Sequence, residues 1–72
     1  MNKYPDDYIA ILINFNNPEM LFMEKLPSMI RYVKDNNLSV YSLKQAWSDI
    51  HAESPATELQ TMRFDLFVSI LE

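Results

Sequence analysis

A chain of 72 residues with a formal net charge of −4, no cysteine and no glycine is tightly bounded. It makes one domain at most, over residues 1–72, and a chain of this size buries only about 60% of its unfolded surface, so its stability is marginal. The missing cysteines exclude disulfides and thiolate-ligated zinc, the acidic balance argues against general affinity for phosphate backbones, and self-association is the support left open to so small a fold.

The opening stretch, MNKYPDDYIAILINFNN, sets Asp6 and Asp7 where a secretion signal needs positive charge. The apolar run behind them is too short to span a bilayer. A soluble, cytoplasmic protein is the expectation. Charge is unevenly spread. Lys3 stands against Asp6, Asp7, Glu19 and Glu24 in residues 1–24, and Arg63 against Asp49, Glu53, Glu58, Asp65 and Glu72 in residues 45–72. The middle holds Lys25, Arg31, Lys34 and Lys44 against Asp35 alone. This mild dipole suits an oppositely charged partner or head-to-tail docking.

The first segment, residues 5–15, reads as a helix because Pro5 and two aspartates suit the positive end of a helix dipole. The alternation of Ile9, Ile11, Ile13 and Phe15 also permits a strand, which would lack an obvious partner. Without glycine, left-handed backbone positions fall to asparagine. Asn16-Asn17 and Asn36-Asn37 are therefore expected to end helices. Asn17 should cap a second helix with Pro18 and Glu19 in its first turn. Pro27 should break that helix near residue 26, yet Phe22, Leu26, Met29, Ile30 and Val33 hold one phase through the proline. A kinked pair ending around Asp35 is the expectation.

Residues 38–41 read as a connection, and Ser42 with Gln45 as a capping box for a helix burying Leu43, Ala46, Trp47 and Ile50. The last helix has two candidate caps, Ser54 before Pro55 and Thr57 with Gln60. Its body is apolar over roughly two-thirds of its circumference. Leu59, Met62, Leu66 and Ile70 form a narrow sector that Phe64, Phe67, Val68 and Leu71 extend. The whole is expected to be an all-α, compact, single-domain bundle of four to five short helices.

Little in this chain points to catalysis. His51 is the single histidine, and its acidic neighbours Asp49 and Glu53 lie two positions away, where helical side chains do not face each other. It is expected to rest on Trp47. No nucleophile elbow is present. The run Asp35-Asn36-Asn37-Leu38-Ser39 imitates the start of a calcium loop, but Val40 stands where that loop needs glycine and Ala46 where it needs a glutamate. No cofactor, no metal and no enzymatic activity are expected.

What remains is apolar helix surface. Met20, Met23, Met29 and Met62, with Phe22, either fill gaps in a small core or form an adaptable recognition face. The expectation is a small non-catalytic protein-binding module, a regulator, inhibitor or immunity-type protein, acting as a homodimer or on a larger protein. Its interface is expected among Phe64, Phe67, Val68, Leu71, Met20 and Met23. The alternative is a helix-turn-helix-like DNA-binding regulator with Arg31, Lys34 and Lys44 as phosphate contacts.

Overall fold

The computed structural model describes residues 4–72, so the first three residues of the expected 1–72 domain lie outside it. Four helices and no strand are present among the described residues: α1 (Asp6–Asn16), α2 (Phe22–Asp35), α3 (Val40–Ile50) and α4 (Glu58–Leu71). The strand alternative for the first segment is thereby excluded, and the bundle has four helices, not five. The main packing contacts are α1 on α3, α1 on α4 and α2 on α4. One core results, measuring with its shell 30 × 25 × 19 Å.

The centre of that core is Phe15, at the end of α1 and fully buried. Its ring lies 5.2 Å from Phe67, 5.5 Å from Phe64, 6.0 Å from Trp47 and 6.2 Å from Phe22, centroid to centroid. The contacts with Phe64 and Trp47 are edge-on at 88° and 85°, which sets a positive ring edge against a negative face. Trp47 and Phe64 stack at 4.3 Å. One ring thus joins all four helices. Ile11, Leu12, Leu26, Met29, Val33, Leu43, Ala46 and Val68 complete the interior.

Helix ends follow local chemistry. Asn37 has φ of 52°, the left-handed conformation that an asparagine tolerates when glycine is missing. Its N–H donates to the Lys34 carbonyl and that of Leu38 to the Val33 carbonyl, so the last turn of α2 is closed by a Schellman pair. Of the two candidate caps for α4, Thr57 is the one used. The Gln60 N–H donates to Thr57 Oγ1 at 3.1 Å and the Thr57 N–H to Gln60 Oε1 at 2.9 Å.

Three expectations are corrected. The second helix begins at Phe22, not after Asn17: residues 17–21 form a turn in which the Glu19 N–H donates to Asn17 Oδ1 at 3.0 Å. Met20 and Phe22 are buried while Leu21 between them is 63% exposed, an in-and-out alternation that a helix cannot give. Pro27 does not split α2, which runs on through it. The ring lies on the exposed face, where the carbonyl deprived of its amide partner is open to water. The third helix begins three residues early, because Ser39 is its cap, accepting from the Ser42 N–H at 3.2 Å. Val40, half-buried against the core, draws the first turn inward.

Candidate functional site

Helix α4 is apolar over more of its circumference than a surface helix needs, and Glu58, Thr61, Asp65 and Ser69 make its exposed polar flank. Phe64, Phe67 and Val68 are buried and Leu71 is partly buried against the core. Phe64 and Phe67 are held there because only that side of α4 brings both rings to Phe15. On the other side Leu59, Met62, Leu66 and Ile70 are 54%, 62%, 46% and 47% exposed. Steps of three, four and four residues keep these four in a sector of about 80° on the helix. Two apolar faces thus lie back to back, one consumed by the core and one open.

This divides the residues expected at an interface. Phe64, Phe67, Val68 and Met20 are buried core residues with little outer surface, and Leu71 keeps only a partial one. Met23 alone among the six stands well exposed, at 72%. The open stripe is formed instead by Leu59, Leu66 and Ile70, which were not among the expected interface residues, together with Met62, named above only as a possible recognition residue. Their narrow spacing was the available signal. It marks a face without saying which way the face points.

The borders of the stripe are charged on both flanks. Glu58 and Asp65, both exposed, lie on one side with Ser69. Arg63 lies on the other, with its guanidinium carbon 5.8 Å from the centroid of the Phe22 ring. Arg63 also closes a hollow of about 330 Å³ lined by Met20, Leu21, Phe22, Met23 and Glu24. Leu21 and Met23 are exposed as well, and the α4 residue that lines their hollow is Arg63, not a member of the stripe. The methionines divide accordingly: Met20 and Met29 fill the core, Met23 and Met62 face outward.

The basic residues of the alternative reading are not assembled into one anion site. Arg31 and Lys34 share a shallow hollow on α2 with Asp35, Leu26, Pro27 and Ile30. Lys44, on α3, is ion-paired with Glu72 at the end of α4. The helices that would form the DNA-reading pair, α2 and α3, are not a principal packed pair.

His51 lies on Trp47 with 4.3 Å between ring centroids, as its spacing suggested. Its Nδ1 is 2.8 Å from the Ser54 carbonyl oxygen, which can only accept, so Nδ1 carries the proton. The Nε2 is enclosed and has no hydrogen-bond partner among the described residues. The ring fastens the bend between α3 and α4. No group of three histidine, aspartate or glutamate side chains is placed to hold a metal among the described residues. The imitation of a calcium loop is spent on helix ends: Asn36 Nδ2 donates to the Tyr32 carbonyl at 2.9 Å, and Ser39 caps α3.

Three tyrosines tie α1 to the rest. Tyr4 donates to Asp49 Oδ2 and Tyr32 to Asp7 Oδ1, each at 2.6 Å, and Tyr8 accepts from the Ser39 N–H at 2.8 Å. The carboxylate of Asp49 holds the Tyr4 phenol up at about 12, and Asp7 raises Tyr32 in the same direction. Among the described residues no helix is long and apolar enough to cross a membrane. No protein-family model, curated protein or solved structure matches the chain.

Proposed function

We propose that this chain is a non-catalytic protein-binding module, a small regulator, inhibitor or immunity-type protein, which docks through the outer face of α4. The observation that carries the reading is the stripe of Leu59, Met62, Leu66 and Ile70, each about half exposed on a helix whose opposite face already fills the core. Single exposed apolar side chains are ordinary, but four aligned along one helix and bordered by charge make an interaction face. Helix-on-helix or helix-in-groove docking uses this i, i+3, i+7, i+11 pattern of anchors. Met62 adds adaptable contact surface.

Affinity capture with the tagged chain and with a Met62→Gln, Leu66→Gln variant tests the reading. Both substituted positions are exposed, so the variant is expected to keep its helical circular dichroism. A bound protein, whether a second copy or a larger partner, is expected to be held by the parent chain and lost from the variant. Equal capture by both would refute docking at this face.

A further inference from the structure

Resting on that reading, we infer that the occupant of the α4 face is a second copy of this chain, aligned parallel to the first about a two-fold axis running along the helix. The charges that border the stripe carry the inference. Written as a heptad, Leu59, Met62 and Leu66 take the inward a, d and a positions, Glu58 and Asp65 the g positions, and Arg63 the e position. In parallel helix pairs a g residue of one chain meets the e residue of the following heptad on its partner, five positions on. Glu58 and Arg63 have that separation. A parallel pair therefore makes two symmetric Glu58–Arg63 contacts across the seam. Five positions apart, the two side chains stand on opposite flanks of their own helix, so the pairing is available between copies and not within one.

The opposite alignment is disfavoured by the same residues. In an antiparallel pair each flank meets its own counterpart. Overlapping the whole stripe, residue 59 against 70, brings Asp65 nearly level with Asp65 of the second copy. It also sets Arg63 about 4.5 Å along the axis from its own equivalent, at the rise of an α-helix. Like charges then face each other on both sides of the seam, which is destabilising, whereas the parallel arrangement separates the two aspartates onto outer edges. The last step of the stripe, Leu66 to Ile70, is four residues rather than three. The seam so approaches an 11-residue period and the pair is expected to run nearly straight or slightly right-handed, not as a long left-handed coil. A 14-residue helix is about 21 Å long, so the contact lies at the small end of specific interfaces and dissociation in the micromolar range is expected.

Because the chain has no cysteine of its own, single substitutions report alignment directly. Under mild oxidation the Ile70→Cys chain is expected to link to itself, since the 11-residue period returns position 70 to the seam in the phase of position 59, and a parallel pair sets it there beside its equivalent. In an antiparallel pair those positions are about 16 Å apart along the axis, beyond the roughly 7 Å limit for disulfide closure. Analytical ultracentrifugation supplies the second arm. Glu58→Lys and Arg63→Glu are each expected to weaken association about tenfold, and the chain carrying both is expected to regain it, because the exchanged charges again oppose each other.

Linking of Leu59→Cys chains to Ile70→Cys chains, without linking of Ile70→Cys to itself, would overturn the parallel assignment. A double charge variant as weak as either single one would also overturn it. A parent chain that is monomeric at high micromolar concentration but still captures a larger protein through Met62 and Leu66 would overturn self-pairing and leave the docking reading standing. Dimers untouched by Met62→Gln with Leu66→Gln would defeat the assignment to this face altogether.

Discussion

At the scale of single residues, the division of α4 into a closed and an open face makes chemically similar side chains energetically unlike. Phe67 is fully buried against Phe15, so Phe67→Ala is expected to cost about 3–5 kcal/mol, as for other large core aromatics. In a fold this small that is most of the stability. Leu66, one position earlier, is 46% exposed. Leu66→Ala in dilute solution is expected to change stability by less than about 1 kcal/mol. Urea denaturation of the two variants side by side checks the contrast, and equal losses would contradict the burial assigned to α4. The tyrosines give a pH signature. The Tyr4 phenol is raised from its ordinary 10.0 to about 12 by its hydrogen bond to the Asp49 carboxylate, and Tyr32 is raised by Asp7. A group whose value is higher in the folded chain stabilises the fold below its unfolded value. For Tyr4 that contribution is whole below about pH 10 and disappears as pH climbs through 12. Spectrophotometric titration of the four tyrosines is expected to show delayed ionisation that Tyr4→Phe partly removes.

At the scale of the element, helix starts are governed by which hydroxyl meets the first free amide. Ser39→Ala is expected to destabilise by about 1 kcal/mol and Thr57→Ala by a similar amount, since each removes an N-cap acceptor. Ser42→Ala is expected to do little, because Ser42 takes part through its backbone N–H. Thermal melts of the three variants would reverse this order if α3 began at Ser42. Much of this layer was legible in the residues. Asn37 as a left-handed helix end, the Thr57–Gln60 capping box and His51 on Trp47 follow from short-range rules that need no knowledge of the far chain. Local signals fail where the core overrides them. Half-buried Val40 pulls the start of α3 ahead of the Ser42–Gln45 pattern, buried Met20 unwinds the turn begun at Asn17, and solvent on one side of α2 lets Pro27 stay inside it. Which side of α4 is buried was not legible for a related reason. On a helix apolar nearly all round, periodicity draws two faces but gives no sign to choose between them, and the sign came from the distant ring of Phe15.

At the scale of the molecule, one core cannot absorb four helices of which the last is apolar on both sides. The core closes around Phe15 with residues from every helix, and after closure the outer stripe of α4 still faces water. Small domains gain stability from whatever binds the folded state and not the unfolded one, and for a self-associating chain that ligand is the protein itself. The melting temperature of the parent chain is therefore expected to rise with protein concentration. A 72-residue domain shifts by about 4–8 °C for each kcal/mol gained at the midpoint, so a hundredfold concentration series spanning the dissociation constant is expected to move the transition by several degrees. The Met62→Gln, Leu66→Gln chain, lacking the centre of the stripe, is expected to melt at one temperature throughout the series, close to the dilute value of the parent. Calorimetry or circular dichroism across that series reads both curves. A parent chain whose transition stays fixed would show that the exposed face of α4 draws no stability from a second copy, and would overturn self-pairing at that face.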